Sequence, residues 1–345
     1  MKLAVTGGAG FLGFHLCNQL ADRFDEIKVL DVAPLDPSEY PQNVTYAQAD
    51  VRNAKAMQEL LAGVELVVHA AAALPLWKKK DIFSTSVDGT RSVLQAAIHN
   101  GIRRVVYVSS TAVYGVPEKH PIYEDDPLVG VGCYGEAKIE AEKLCQQYRE
   151  RGLCLPIVRP KTFIGTGRMG VFQILYDWVE SGCKIPVIGD GTNRYQLLEV
   201  EDLVSAIYLM LTLPEAKVND VFNVGATEFG TVVADVGAMC EYAATGARVM
   251  ATKSWLVKPI LGIAWRLRIS PLYRWVYGTA DKDSFVSSEK AQAALGWQPQ
   301  YSNAEALIRS YQWYLDHKHE LAGAEGVTHR VAWKQGILGL IKRFM

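Results

Sequence analysis

The chain has 345 residues, of which 49% are hydrophobic and 21% are charged, and its formal net charge at pH 7 is −1. This composition is ordinary for a water-soluble globular protein and gives no reason to expect a nucleic-acid partner. Lys or Arg interrupts the apolar stretches every few residues, so none reaches the roughly 20 residues that a membrane-spanning helix needs.

The first half of the chain alternates short apolar stretches with amphipathic ones. The stretch over residues 83–100 is typical of an amphipathic helix. Strands that alternate with helices form βαβ units, so we predict an α/β fold with a Rossmann-type, doubly wound parallel sheet. The predicted strands cover residues 2–6, 27–31, 44–48, 65–70, 104–109 and 155–159.

Beyond about residue 162 this alternation gives way to mixed elements, separated by turns that contain Gly and Pro. We predict a dinucleotide-binding domain over residues 1–161 and a smaller C-terminal substrate-binding domain over residues 162–328. Residues 329–345 are predicted to form a basic amphipathic tail. An apolar stretch near residues 221–224 is a candidate strand of the first domain.

The segment TGGAGFLG follows the first predicted strand and precedes a helical pattern, with Gly7, Gly10 and Gly13 at intervals of three residues. In a dinucleotide-binding fold the first glycine permits the turn, the next lets the backbone approach a pyrophosphate, and the last lets the helix pack on the strand. A tight structural turn would also explain the glycines. Asp31, at the end of the next predicted strand, favours the nucleotide site.

Asp31 is suited to accept hydrogen bonds from the adenosine ribose hydroxyls. The 2′-phosphate of NADP would meet this negative charge, and no arginine stands next to it in the sequence. We therefore expect NAD as the cofactor and regard NADP as the less favoured one. A strand-end turn is the alternative role for Asp31.

Three further residues have the types and spacing that hydride-transfer chemistry uses. Ser110 ends a predicted strand, while Tyr134 and Lys138 are four residues apart and share a helix face. A neighbouring ammonium group lowers the pKa of a phenol, so Tyr134 could take or return the proton of a substrate hydroxyl. Ser110 would hydrogen-bond the same oxygen.

Together these segments resemble the extended short-chain dehydrogenase/reductase superfamily, also called the NAD-dependent epimerase/dehydratase family, over most of residues 1–312. The resemblance rests on TGGAGFLG, VLD, QADVRN, VVHAAA, VDGT, YVSSTAVYG, YGEAK, VRP, VEDL, FNVG and ALGWQP. It implies that Ser110, Tyr134 and Lys138 are catalytic. The cofactor-binding set that it implies is Gly7, Gly10, Phe11, Leu12, Gly13 and Asp31, Asp50 and Val51 at the adenine, Ala70 and Ala71 along the dinucleotide, Tyr134, Lys138 and Pro160.

Family members that eliminate water or decarboxylate carry an acid just after the catalytic serine or threonine, and some multi-centre epimerases carry a cysteine there. Here those positions hold Thr111 and Ala112. The resemblance therefore favours oxidation or reduction at one carbinol carbon, or a 4-epimerisation built from both steps.

The substrate positions also depart from the sugar-nucleotide enzymes of the family. Thr162 stands where those enzymes usually have an asparagine, and Arg194 stands one position early in RYQLLEVEDL. Because two phosphates need cationic or multiple donor partners, these two departures weaken the nucleotide-sugar interpretation. Ser86 stands where the family has an asparagine near the end of the fourth helix, and this departure weakens the expectation of a proton relay through that position. Our candidate substrate residues are Thr111, Thr162 and Arg194.

Residues 253–277 and 329–345 combine Lys and Arg with tryptophan and aliphatic residues and contain no Asp or Glu. Such segments suit the headgroup boundary of a membrane, where apolar side chains insert and cations meet anionic lipid. We expect peripheral membrane contact through both. The alternatives are a lid or a dimer surface for the first stretch and a docked tail for the second.

The six cysteines form no C-x-x-C pair, and the seven histidines show no metal-site spacing, so we predict no metal. The N-terminus shows no secretory pattern. We therefore expect a cytoplasmic enzyme, with peripheral association on the cytoplasmic face of the membrane. A homodimer is a further expectation.

We expect an NAD-dependent oxidoreductase that interconverts a secondary alcohol and a ketone. The tryptophan-rich basic stretches favour a hydrophobic, lipid-like substrate, such as a sterol, a 3-oxo sphingolipid or a polyprenyl-type compound. The alternative is a nucleotide-sugar 4-epimerase or reductase. The intact catalytic set disfavours a third possibility, a regulator that binds the cofactor without catalysis.

Overall fold

The computed structural model describes residues 1–267 and 274–319, together with Gly339 and Lys342. The predicted tail, apart from those last two residues, and residues 268–273 of the first basic stretch therefore lie outside the described part. The chain divides into two units. The first consists of Met1–Lys161, Val200–Gly225 and Val286–Pro299, and the second is drawn from Thr162–Glu199, Ala226–Phe285 and Gln300–Met345.

Seven strands of the first unit form one parallel sheet, in the order β10-β6-β5-β4-β1-β2-β3. The order runs outward from β1 in both directions, which is the topology of a doubly wound fold. The predicted α/β, Rossmann-type class is confirmed. The strands are β1 (Lys2–Thr6), β2 (Glu26–Asp31), β3 (Val44–Gln48), β4 (Leu66–His69), β5 (Arg104–Val108), β6 (Ile157–Pro160), β7 (Thr162–Ile164), β8 (Lys184–Ile188), β9 (Leu197–Glu199), β10 (Val221–Val224) and β11 (Arg248–Thr252).

Helices connect the strands, and a single π-helical turn over Ser84–Gly89 links α3 to α4. The long predicted helix over residues 83–100 is therefore interrupted. The helices are α1 (Phe11–Leu20), α2 (Ala54–Leu60), α3 (Lys79–Phe83), α4 (Thr90–His99), α5 (Gly132–Arg149), α6 (Val171–Glu180), α7 (Val200–Thr212), α8 (Glu215–Val218), α9 (Val232–Ala243), α10 (Ser254–Arg266), α11 (Arg274–Thr279), α12 (Glu289–Leu295) and α13 (Asn303–His317).

The central strands of the sheet explain where the functional residues gather. Every residue of β4 and β5 is buried, the pattern of a parallel sheet with both faces covered. The carboxyl ends of parallel strands meet at one edge of the sheet, and ligands of such folds bind there. The residues that follow β1, β2, β4, β5 and β6 therefore lie at a common edge.

The second unit has a core of its own. Side chains from α6, α9 and α13 pack into one buried cluster, and two parallel strand pairs, β8 with β11 and β7 with β9, flank it. A capping box formed by Ser302 and Glu305 begins α13. No helix in the described part of the chain combines the length and the apolar character that crossing a bilayer requires.

Candidate active site

The glycine segment forms a tight turn between β1 and α1. Gly7 has φ +73°, and its amide donates to the carbonyl of Leu30 at 2.8 Å. A Cβ on Gly7 would lie 2.8 Å from the Cα of Ala71, and a Cβ on Gly13 would lie 2.4 Å from the carbonyl oxygen of Gly7. The close approach of backbone segments therefore requires glycine at both positions.

Gly10 has a different role from the other two glycines. It is the N-cap of α1, with an extended backbone and no side-chain cap. A Cβ on Gly10 would lie 3.2 Å from the Gly7 carbonyl oxygen. Phe11 and Leu12 begin the helix, and the first amides of a helix have no partner within it. These amides and the helix dipole suit an anionic phosphate group.

Asp31 ends β2 beside the glycine turn. Its carboxylate accepts hydrogen bonds from the amides of Ala9, at 3.0 Å, and Ala33, at 2.9 Å. Burial raises the pKa of Asp31, and these amide hydrogen bonds oppose the rise. The amide of Ala9 thus holds the acid against the glycine turn.

Ala70 and Ala71 follow β4 at the same edge of the sheet. The amide of Ala70 donates to the carbonyl of Thr6 at 3.1 Å, and the amide of Ala71 donates to Thr6 Oγ1 at 3.3 Å. This segment consequently packs against the turn at Gly7.

The two candidate adenine contacts differ in their surroundings. Val51 is buried, and a Cβ on Gly89 would lie 2.7 Å from its Cγ2. The carboxylate of Asp50 pairs with the guanidinium of Arg52 at 2.5 Å, and the hydrogen bonds from Arg52 lower the pKa of Asp50. The Asp50 carboxylate is therefore already engaged by its neighbour in the chain.

Ser110, Tyr134 and Lys138 lie together in the first unit. Ser110 follows β5 and caps a short 3₁₀ turn, Tyr134 lies in the first turn of α5, and Lys138 follows one turn later. Ser110 lies close enough to Tyr134 for hydrogen bonding between them to lower the pKa of the phenol. The Nζ atom of Lys138 lies 5.9 Å from the centre of the Tyr134 ring and donates to the carbonyl of Val108 at 2.8 Å.

Burial controls the protonation of this cluster. Burial raises the pKa of Tyr134 to about 12, and the hydrogen bond with Ser110 opposes the rise. Burial lowers the pKa of Lys138 to about 8, against the negative charge of Glu142. At pH 7 the lysine is therefore mostly charged, and its positive charge favours the phenolate form of the tyrosine.

A buried ion pair holds α5 against the sheet. Arg159 on β6 donates to both carboxylate oxygens of Glu142, one turn after Lys138, at 2.5 to 3.2 Å. Burial alone would lower the pKa of Arg159, but the hydrogen bonds and charge of Glu142 raise it. Sequence reasoning missed Glu142, although its spacing of four residues from Lys138 indicated a shared helix face.

His69 forms part of a buried network behind the site. Its ring nitrogens hydrogen-bond Thr6 Oγ1 at 2.7 Å and Thr90 Oγ1 at 3.0 Å. Burial, and then the charge of Lys138, lowers the pKa of His69 to about 3. His69 is therefore a neutral core residue that links the strand behind the glycine turn to α4.

Two further positions lie close to this network. Ser86 lies in the π-helical turn, and its Oγ atom is buried without a hydrogen-bond partner among the described residues. Thr111 Oγ1 donates to the carbonyl of Pro160 at 3.3 Å, which joins the ends of β5 and β6. Lys161 follows Pro160, and burial lowers its pKa to about 7.

The two other candidate substrate residues belong to the second unit. Thr162 begins β7, and its hydroxyl shares a hydrogen bond of 3.0 Å with the hydroxyl of Tyr195. Arg194 is exposed, and its guanidinium lies 4.6 Å and 4.7 Å from the ring centres of Phe229 and Phe285. The two aromatic faces therefore hold the arginine side chain at the surface.

A metal site is not among the features of the described residues. No group of three or more His, Cys, Asp or Glu side chains in residues 1–267 and 274–319 is arranged to hold a metal ion. The functional groups of the candidate site are the hydroxyl of Ser110, the phenol of Tyr134 and the amine of Lys138, together with the glycine turn suited to phosphate.

Comparison with known proteins identifies a matching family and several relatives. The model of the NAD dependent epimerase/dehydratase family matches residues 3–225. The protein y4nG of Sinorhizobium fredii is 35% identical over 98% of this chain and 84% of its own length. The UDP-glucose 4-epimerase of Halalkalibacterium halodurans is 26% identical over 92% of this chain and 97% of its own. The solved structure of an epimerase from Methanothermobacter thermautotrophicus shares the fold, with a TM-score of 0.77, 22% identity, and coverage of 92% of this chain and 93% of that one.

Proposed function

Because the chain belongs to the NAD dependent epimerase/dehydratase family, we propose that it inverts or oxidises a secondary alcohol of a nucleotide sugar, with 4-epimerisation as the favoured reaction. The observation that carries the proposal is the cluster of Ser110, Tyr134 and the buried Lys138 at the carboxyl edge of the sheet. The similarity to a UDP-glucose 4-epimerase over 92% of the chain supports a nucleotide sugar as the substrate class.

The residues around the glycine turn fit a dinucleotide. Gly10, the N-cap of α1, carries no side chain, which leaves room for phosphate to approach the first amides of the helix. Asp31 presents a carboxylate beside the turn, as binding of a ribose diol requires. Ala70 and Ala71 would line the same molecule, since their backbone packs on Gly7.

The chain's own groups would manage the proton and the charge. Bound NAD supplies the hydride acceptor and a positive charge. That charge and Lys138 would act in the same direction on Tyr134, favouring its phenolate. Tyr134 would then take the proton of the substrate hydroxyl, and Ser110, which lies beside the tyrosine, would hydrogen-bond the same oxygen.

The residues after Ser110 support inversion or oxidation over elimination. Thr111 and Ala112 carry no carboxyl group, and the Thr111 hydroxyl is directed to the carbonyl of Pro160. Loss of water from a sugar needs an additional acid or base beside the reacting carbon. Neither of these two positions supplies one.

The experiment is a cofactor-reduction and product assay with purified protein. UDP-sugars and lipid alcohols are presented separately, each with and without phospholipid vesicles, and nucleotides that co-purify with the protein are extracted and identified. We expect turnover of at least one UDP-sugar that is independent of vesicles. Turnover of lipid alcohols alone would overturn the nucleotide-sugar proposal while leaving the catalytic cluster in place.

A lipid-like secondary alcohol is the second candidate substrate. Two observations favour it: Thr162, which replaces the usual asparagine, is paired with Tyr195, and the described part of the basic stretch exposes apolar side chains. The sequence alone favoured the lipid-like substrate. Because the comparisons favour the nucleotide sugar, we now rank the lipid-like substrate second. The same assay separates the two, because only a membrane-presented substrate needs vesicles for turnover.

A further inference from the structure

Helix α10 presents an apolar face to solvent, which is the reverse of the usual arrangement. Trp255 is 72% exposed and Ile263 is 62% exposed. Leu256, Ile260, Ile263 and Leu267 recur at intervals of four, three and four residues. At 3.6 residues per turn they lie in one stripe. We call the exposed apolar residues on this side of the helix the α10 face; it consists of Trp255, Leu256, Pro259, Ile260, Ile263 and Leu267. Trp265 is exposed too, but it lies on another side of the helix.

The opposite side of the helix is anchored to the second unit. Leu261 and Ala264 are buried. The ammonium of Lys258 donates to the carboxylate of Asp281 at 2.6 Å and to the carbonyl of Gly278 at 3.1 Å. The ion pair and the buried side chains fix which side of α10 packs inward. The α10 face lies on the other side of the helix and is therefore exposed.

Positive charges stand at both ends of the α10 face. Lys253 precedes the helix and Arg266 ends it, and both side chains are exposed. The surrounding stretch, residues 253–277, contains no Asp or Glu. An apolar surface with tryptophan and flanking cations matches the boundary of an anionic bilayer, where the rings and aliphatic chains enter the headgroup layer and the cations meet phosphate.

A second copy of the chain fits this face less well. With 13 residues, α10 is about 20 Å long and its exposed side about 10 Å wide, or about 200 Å². A stable dimer buries about 800 Å² on each partner. Because both ends carry a cation, a parallel or an antiparallel pairing of two α10 helices would also bring like charges together.

We propose that the α10 face docks the protein on the surface of anionic lipid bilayers, as a peripheral contact that does not cross the membrane. This contact is independent of which substrate the site accepts. An enzyme that acts on a nucleotide sugar would be held near membrane-bound steps that make or use that sugar.

The test is flotation of the full chain with vesicles of phosphatidylcholine, with and without phosphatidylglycerol. We expect co-flotation with the anionic vesicles only, and weaker binding as salt is raised. The double variant Ile260→Ser, Ile263→Ser is expected to lower the partition coefficient by at least about ten-fold, because it removes two inserted side chains. Because the chain has eight tryptophans, quenching of tryptophan fluorescence by brominated lipid would report insertion of Trp255 as the part of the quenching that is lost in a Trp255→Phe variant.

Ile98→Ser is the matched control. Ile98, on α4 of the first unit, is 47% exposed, against 52% for Ile260, and its substitution should leave flotation unchanged. Circular dichroism and thermal melting verify that the double variant and the Ile98→Ser control are folded. Flotation of the double variant equal to that of the unaltered protein would overturn the proposal. A second result would also overturn it: light scattering that shows the unaltered protein as a dimer and the double variant as a monomer, with no vesicle binding by either. That result would assign the α10 face to contact with a second copy of the chain.

Discussion

Partial burial raises the pKa of Tyr134 to about 12, so proton transfer at this residue depends on positive charge near its ring. Tyr134→Phe removes the hydroxyl and keeps the ring packing. We expect kcat to fall by about 10²- to 10⁴-fold, the usual contribution of a positioned acid or base, with little change in NAD affinity. Steady-state kinetics and a NAD titration measure the two effects, and Tyr242→Phe is the control. An active Tyr134→Phe enzyme would remove Tyr134 from the mechanism.

Lys138 is buried as a cation, which costs stability. Its pKa is about 8 in the folded chain and about 10.4 when unfolded. Between these pH values the unfolded chain holds the proton and the folded chain does not, so the stability of the unaltered protein rises with pH in this window.

The pH dependence of unfolding therefore tests the state of Lys138. A Lys138→Met variant lacks this titration, so its free energy of unfolding relative to the unaltered protein should decline between about pH 8 and pH 10. Denaturant unfolding at several pH values measures the difference. A difference that stays constant over this range would mean that Lys138 has an ordinary pKa.

The buried pair of Arg159 and Glu142 joins α5 to β6, and so positions Tyr134 and Lys138 against the sheet. Glu142→Gln leaves the buried guanidinium without its counter-charge. The expected loss in the free energy of unfolding is about 3 to 5 kcal/mol. Glu140→Gln is the control, because Glu140 lies on the same helix but pairs with Lys143 at the surface. Equal losses for the two variants would show that the buried pair has no special role.

Two glycines of the turn before α1 allow the packing role and the cofactor-binding role of this turn to be tested separately. Gly13→Ala forces a Cβ to within 2.4 Å of the Gly7 carbonyl, so we expect poor folding. Gly10→Ala meets only a contact of 3.2 Å, and this variant should fold and lose NAD affinity. Thermal melting and NAD titration distinguish the outcomes, with Gly237→Ala on α9 as a folded control that retains full affinity. Full affinity in Gly10→Ala would contradict the phosphate role of α1.

The seven-stranded parallel sheet was the most predictable feature of the fold. Buried parallel strands are nearly continuous apolar runs, so β1 and β5 are recognisable from the sequence alone. Tyr134 and Lys138 were predictable because their spacing is local. The pairing of Glu142 with Arg159 was not, since it joins residues 17 positions apart through the packing of α5 on β6.

The exposure of the α10 face also could not be predicted from the sequence. The sequence of residues 253–277 indicated an apolar, basic segment, but either side of a helix there could have packed inward. The ion pair of Lys258 with Asp281 selects the side, and Asp281 lies 23 positions further along the chain. Long-range contacts of this kind decide which side of the helix is exposed, and a local sequence pattern does not predict them.

The proposed reaction is hydride transfer at the C4 alcohol of a nucleotide sugar, with Tyr134 as the proton acceptor. The most direct measurement is NMR of a panel of UDP-sugars deuterated at C4, incubated with the purified protein and NAD. We predict inversion at C4 of at least one sugar with deuterium retained on that carbon, and loss of this reaction in Tyr134→Phe. Unchanged sugars throughout the panel would rule out 4-epimerisation of these sugars, and inversion that persists in Tyr134→Phe would rule out Tyr134 as the proton acceptor.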